Sequence, residues 1–434
     1  MNRSGQLFLV LCFLSVNAIA QEKLSLKDAI SIALEKNFDV QIARAGKQST
    51  DLNNTAGAAG MMPSVTLEGG YNRTDLNLSQ KLSDGRVIER NAARSETYSA
   101  AARLNWILFD GLTMFSRKAR LESLSREAEL TLRIQMETSI QKVIAAYYAV
   151  QLEEQRIRSL NELLQVDSIR IQLAVIRLES GNGSKLDLLN ARLEKNNHQA
   201  QLLQEQANLI AQQENLNLLL GRDPSAQFTT ADELTLTDIP KIDAGTRNAD
   251  VRLLLAEQRE QSAFQWLKET KGARLPVLSF NASYTYNQIE NEAGFLLRNQ
   301  NDGPGFGLNL QWNLFDGFRT SRTVKTAQFS YTISKLQHQQ EQLLRQQAET
   351  KLQRDYALQR ELVRTAELSH SFAQEILMVA TERLKGGLGT SLEITEAQRN
   401  FEDAATRLYE AQYQAKLTET EMLKLTGKLI TVTP

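Results

Sequence analysis

Leu108-Phe109-Asp110-Gly111 returns in the chain as Leu314-Phe315-Asp316-Gly317, and each copy follows a tryptophan, Trp106 and Trp312, that stand 206 positions apart. The same displacement relates Arg177 to Arg383, Gly181 to Gly387, Gly183 to Gly389 and Gly221 to Gly427. A duplication held in register over that distance implies one architecture used twice, so the chain reads as a single elongated body instead of the two or three globular domains its 434 residues would suggest.

Working outward from each motif, proline and glycine set the boundaries. No proline interrupts 64–223 or 305–433, and glycine is absent from 112–180, 184–220, 318–385 and 390–426. A proline inside a helix costs about 3 kcal/mol, and a glycine about 1. The gaps therefore predict four long helices, about 113–180 and 184–220 in the first copy and about 318–385 and 390–426 in the second. The longer ones would each reach about 100 Å at 1.5 Å per residue. Val143, Val150, Ile157, Leu164, Ile171 and Leu178 recur every seven residues. On the return, Leu186, Leu193, Ala200 and Ala207 do the same, joined by Leu189, Leu203 and Ile210, with Asn196 the one polar position. That period predicts left-handed coiled-coil hairpins. Gly181-Asn182-Gly183-Ser184 and Gly386-Gly387-Leu388-Gly389-Thr390 supply the reversals, each ending in a hydroxyl residue suited to cap the returning helix.

Before each motif the period falls to two. Leu278, Phe280, Ala282, Tyr284 and Tyr286 alternate with polar neighbours, as do Phe306, Leu308, Leu310, Trp312 and Leu314. Val65, Leu67, Gly69 and Tyr71, then Tyr98, Ala100, Ala102, Leu104, Trp106 and Leu108, repeat the pattern in the first copy. Strands are expected at about 64–76, 96–109, 277–289 and 305–315, joined by polar loops at about 77–95 and 290–305. Four alternating segments of about ten residues with Trp and Tyr on the apolar side suit a membrane barrel with a wet lumen, and a half-buried soluble sheet gives the same alternation. Helical starts are expected at 25–54 and 246–271, and 222–245 reads as a linker between a first repeat (21–221) and a second (246–434).

The N-terminus carries Arg3, an apolar run over 7–14 and Ala18-Ile19-Ala20 before Gln21, which predicts a secretory leader over 1–20. The chain has 50 basic and 51 acidic residues and no basic run, which excludes nucleic acid and anionic lipid surfaces as expected partners. Mean hydropathy is −0.36, and past the leader no stretch is apolar enough for a spanning helix, so membrane contact would fall to strands. Cys12 lies within the leader, leaving no disulfide and no thiolate metal site. His198, His338 and His370 stand alone in sequence, with no phosphate loop and no nucleophile elbow, so neither enzyme activity nor a cofactor is expected. His370 falls on the second coiled-coil seam, where a residue fixing register is the preferred reading over a pH sensor.

The two Leu-Phe-Asp-Gly corners and the Arg-x-x-x-Gly tips at Arg177–Gly181 and Arg383–Gly387 resemble the TolC family of outer-membrane efflux proteins, over nearly all of the chain. The resemblance implies a mainly α protomer with four transmembrane strands. It implies a homotrimer with a 12-stranded β-barrel in the outer membrane and an α-helical tunnel in the periplasm, and hence the exit duct of an efflux or type I secretion system. A periplasmic adaptor would dock at tips built from Arg177, Gly181, Ser184, Leu186, Arg383, Gly387, Thr390 and Leu392, beside an inner-membrane transporter of RND or ABC type. By the same resemblance Glu393 and Glu396, with Asp187 after the first tip, would narrow the periplasmic mouth. The family often has an aromatic residue where Leu384 stands and a basic one near Gly389. Independently, four strands leave two open edges, which hydrocarbon does not tolerate, and pooling three chains gives twelve strands with room for a passage. The alternative is a secreted coiled-coil scaffold or a periplasmic adaptor, which would leave the alternating strands unexplained.

Overall fold

The computed structural model describes residues 22–232, 234, 236 and 250–432. The leader expected at 1–20 and much of the linker at 222–245 lie outside them. The first copy runs β1 (Glu22–Leu24), α1 (Leu26–Lys36), α2 (Phe38–Leu52), β2 (Ser64–Lys81), β3 (Val87–Phe109), α3 (Thr113–Glu179) and α4 (Lys185–Leu220). After β4 (Phe228–Thr230) the second runs α5 (Val251–Gly272), β5 (Val277–Asn291), β6 (Arg298–Gln311), α6 (Arg319–Lys385), α7 (Ser391–Leu425) and α8 (Leu429–Val432).

Each strand-to-helix corner is made by its motif. Gly111 (φ 70°) and Leu112 (φ 66°) are consecutive left-handed residues, as are Gly317 (φ 68°) and Phe318 (φ 66°). A side chain in that conformation costs roughly 1–2 kcal/mol. The aspartate offsets part of it by accepting from the new helix, Asp110 from the Met114 amide at 3.1 Å and Asp316 from the Thr320 amide at 2.9 Å and hydroxyl at 2.6 Å. Trp106 and Trp312 each donate their indole N–H to the chain just before the preceding strand, at Met61 and Arg274, which locks the corner to the sheet.

The four long strands form one antiparallel sheet in the order β2-β3-β5-β6. Its register brings the apolar alternation of every strand to one face: Val65 pairs with Leu104, Leu104 with Ala282 and Ala282 with Phe306, and the row above runs Leu67, Ala102, Tyr284, Pro304. Pro304 is tolerated because β6 is an edge. The opposite face is polar and carries the Arg103–Glu68 ion pair at 3.0 Å. From Trp106 up to Tyr98, which packs on Tyr71 at 5.1 Å, the apolar band is about nine residues tall, what a tilted spanning strand requires. No helix among the described residues is long and apolar enough to cross a membrane.

The strands outrun the sequence expectation. The loop expected at 77–95 is mostly ladder, closed by a tight turn in which the Leu82 amide donates to the Arg86 carbonyl at 2.8 Å. Beyond the apolar band this hairpin keeps only scattered apolar residues, Leu76, Leu78, Val87 and Ile88, among charged neighbours, and its register shifts between Leu76 and Leu78, so no sustained period-two pattern marks it. At the other end β6 stops at Gln311, leaving Trp312 to Phe315 outside the ladder and in the corner.

Below the corners α3 packs on α4, α5 and α7, and α6 packs on α5 and α7. One core fills the waist, with Ile30, Val143, Tyr147, Val150, Leu216, Leu220 and Phe228. The Tyr147 hydroxyl straps β1 there, 2.9 Å from the Leu24 carbonyl. A second core toward the tips joins Leu160 and Leu163 of α3 to Leu377, Ala380 and Leu384 of α6 and Ile394 and Phe401 of α7. The seven-residue seam holds on α3 at Val143 and Val150, but nearer the tip the buried face turns to Leu160, Leu163, Asp167 and Arg170, toward α7. On α4 the expected seam is overturned: Leu186, Leu189, Leu193, Ala200, Leu203, Ala207 and Ile210 are all exposed, while Leu188, Ala191, His198 and Leu216 face inward. The helix is apolar on two sides, and the fuller stripe is the one this chain leaves bare.

Candidate functional site: the hairpin tips

Both tips end their ascending helix in the same closure. The Asn182 amide donates to the Arg177 carbonyl (2.9 Å) and Gly181 to Leu178 (3.1 Å), and Leu388 to Arg383 (2.9 Å) and Gly387 to Leu384 (3.2 Å). These are the paired bonds of a left-handed helix terminus, with φ 75° at Gly181 and 76° at Gly387. Gly183 and Gly389 serve close approach, since a Cβ there would stand 2.8 Å from Arg177 and 2.9 Å from the Leu384 amide. Ser184 caps α4 by accepting from Leu186, and Thr390 caps α7 by accepting from Glu393, both at 3.1 Å. Leu186 and Leu392 project into solvent in the first turn of each returning helix, joined by Leu388, an apolar tip residue that sequence reading passed over. Its signal was its own oddity, a leucine amid three glycines.

The two arginines of the Arg-x-x-x-Gly motifs behave differently. Arg177 reaches across to the second hairpin and donates to the Leu384 carbonyl at 3.0 Å. Arg383 stays on its own hairpin, in an ion pair with Glu393 at 2.8 Å. Asp187 lines a small cavity between the tips with Arg170, Arg177, Ser184 and Ser391. Glu396, one turn beyond Glu393, is exposed and makes no ion pair among the described residues. The three carboxylates are thus not gathered in one chain. Asp187 sits between the hairpins, Glu393 is partnered, and Glu396 is free.

About four turns above the tips lies a polar group that the sequence reading missed, having taken His198 as standing alone. Its Nδ1 is 2.6 Å from Asp167 Oδ2, and Gln398 of α7 donates to Asp167 Oδ1 at 2.7 Å. Arg170 in turn donates to Gln398 at 3.2 Å and to the Ser391 hydroxyl at 2.8 Å. Asp167 is 0% exposed. The clue was available: Asp167 and His198 stand at equal distances either side of the Asn182-Gly183 turn, so a hairpin must bring them level. Burial opposes a charge on His198, but the Asp167 carboxylate, followed by Glu402 and Glu194, outweighs it and raises the imidazole pKa above the ordinary value. His338 also has a partner, Glu260 at 2.8 Å. His370 packs on the rings of Phe401 and Tyr409, and burial lowers its pKa below the ordinary value against the opposing pull of Glu162.

The chain matches the family described as Outer membrane efflux protein over residues 29–222 and 246–428. It is 22% identical to outer membrane efflux protein BepC of Brucella suis biovar 1 (strain 1330) over 414 residues, 93% of this chain and 86% of that protein. It is likewise 22% identical to the proteases secretion protein PrtF of Dickeya chrysanthemi over 430 residues, 92% and 87% of the two chains. Its fold superposes on the Campylobacter jejuni CmeC outer membrane channel with a TM-score of 0.79 at 15% identity, over 93% of this chain and 86% of that one. With the family matched across both copies and the channel fold shared from sheet to tips, the chain belongs to the outer membrane efflux protein family.

Proposed function

We propose that three copies of this chain close into one duct, a twelve-stranded barrel in the outer membrane continued by a helical tunnel through the periplasm. The duct carries substrates from the periplasm, or from an inner-membrane pump, to the exterior. The observation that carries the reading is a sheet apolar on one face and open at both edges, β2 and β6, mounted on hairpins about 100 Å long. Open edges cannot persist in hydrocarbon, so β6 of one copy must meet β2 of the next. The helices support the same closure. α4 leaves Leu193 57% and Leu203 64% exposed, and α6 does the same with Phe329, Ile333, Leu336, Leu343 and Phe372. Such stripes at coiled-coil spacing are suited to pack against each other across copies.

The tips are the adaptor's docking site. Gly181, Ser184 and Leu186 with Arg177, and Gly387, Thr390 and Leu392 with Arg383, offer a small polar turn beside an exposed leucine, which matches the tip of another helical hairpin. The relatives named for efflux and for protease secretion make both an RND-type and an ABC-type transporter suitable partners upstream. Asp187, Glu393 and Glu396 form the periplasmic gate, with threefold symmetry bringing three copies of each to the mouth. Because Arg383 offsets Glu393, Glu396 supplies most of the uncompensated charge.

Single-channel recording of purified protein in planar bilayers tests this. Cation selectivity and divalent block should be clear in wild type, weakened in Glu396→Ala and nearly lost in Glu393→Ala/Glu396→Ala. Unchanged selectivity in the double variant returns both glutamates to a solvated helix face, and absence of any conductance removes the duct.

A further inference from the structure

The inner polar group above the tips is built unlike a structural filler. Asp167 has no exposure, yet it is the shared acceptor of two different helices, His198 on α4 and Gln398 on α7. Arg170 continues the link to the first residue of α7 through Ser391. The carboxylate therefore ties the first hairpin to the second at the level where a tip must separate to open. A buried carboxylate is expensive unless compensated, and of the two cations beside it, His198 and Arg170, only the histidine titrates near neutral pH.

We propose that His198 and Asp167 form a proton-operated clasp, which holds α4 to α3 at the point where Gln398 of α7 joins them when His198 is charged, and loosens the tip when the proton leaves. The consequence for transport rests on the duct reading, whereas the clasp itself is a property of one chain. With His198 protonated, Nδ1–H···Oδ2 is a charge-assisted bond and Asp167 is neutralised in place. With it neutral, Asp167 keeps the dipoles of the imidazole and the Gln398 amide and the nearby charge of Arg170, and the loss of its directly bonded cation favours movement that admits water. The charged groups facing His198 are Asp167 from α3, Glu194 on its own helix and Glu402 from α7, all favouring its proton. Arg170 is engaged by Gln398 and Ser391, and Lys195 by Ser168. The sign follows. The histidine pKa is raised on folding, so its stabilisation is complete below the unfolded value near 6.5 and is lost as pH rises through the folded value.

His198→Asn tests the clasp, because the Asn amide takes the place of Nδ1–H and cannot titrate. Resting conductance in planar bilayers and thermal unfolding midpoints in detergent are read between about pH 6 and pH 8, the range a histidine spans, all in a Glu153→Gln background that removes the carboxyl pushed up to about 7, so that wild type here means His198 kept. Wild-type resting conductance should rise severalfold and its midpoint fall as pH increases, while His198→Asn stays flat in both. Glu402→Gln leaves the clasp intact and should move the wild-type profile to lower pH, which keeps the test open if the asparagine variant folds poorly. A wild-type slope retained in His198→Asn, a profile unmoved by Glu402→Gln, or a wild type without a slope overturns the proposal. A preparation that conducts at no pH speaks against the duct, and the midpoints then decide the clasp alone: a slope abolished by His198→Asn supports it, a slope kept overturns it.

Discussion

Gly111 and Gly317 have the same backbone, the same preceding aspartate and the same following helix, but they meet different surroundings. A Cβ on Gly111 would stand 2.2 Å from the Gly272 carbonyl oxygen at the end of α5, whereas one on Gly317 would meet nothing within 4 Å. The contrast extends along the motif: Phe109 is 36% exposed and Phe315 72%. It recurs at the tips, where Arg177 spans to the second hairpin and Arg383 stays at home. A duplicated chain makes each contact surface twice. The surfaces by which the first copy meets the second are satisfied internally, and those by which the second would meet another first copy are bare. In the proposed trimer the bare half is the same interface, met by a different chain.

That comparison breaks most visibly if apolar positions on the two interfaces respond alike to charge. Leu163→Asp or Ile394→Asp, within the internal core, should cost more than about 4 kcal/mol and prevent accumulation of folded protein. Leu193→Asp/Leu203→Asp on the bare α4 stripe should leave the chain folded by circular dichroism and abolish its oligomer in detergent. Next in size are the corners. Gly111→Ala and Gly317→Ala share about 1–2 kcal/mol for a left-handed side chain, and Gly111→Ala adds a backbone clash. Midpoints of dissociated chains should therefore fall further for Gly111→Ala.

A pH series sharpens the account within the first hairpin. Burial, then Glu205, pushes the Glu153 carboxyl up to about 7. Folding thus favours its protonated form, and stability declines as pH rises from the unfolded value toward 7. Glu153→Gln should flatten that part of the melting profile. The smallest effects belong to the caps, where Asp110→Ala and Asp316→Ala should each lower stability by about 1 kcal/mol, with Asp316 the larger because it holds both the amide and the hydroxyl of Thr320.

The corners, the long helices and the tips were legible because glycine, proline and the motif positions act locally, through φ and capping. The alternating strands were legible only where one face is apolar, which is why 64–76 was found and its polar continuation to Lys81 was not. The α4 seam misled because a seven-residue stripe reports that something packs there, not whose helix does. His198 was passed over for a related reason: its partner is 31 residues away and becomes a neighbour only once the hairpin has folded. The asymmetry between the copies was not legible at all, since equal sequence motifs say nothing about which one finds its partner within the chain.

The claim that the second copy's bare surfaces mate with the first copy's in another chain is tested most directly by thiol cross-linking at the sheet edges. The one native cysteine, Cys12, lies in the predicted leader, so Leu67→Cys on β2 and Leu308→Cys on β6 can be placed singly and together and treated in membranes with a short bifunctional maleimide. Head-to-tail closure predicts a ladder ending at three chains from the double variant and no ladder from either single variant. Cross-linking in a single variant, or a ladder that runs past three chains, would contradict it.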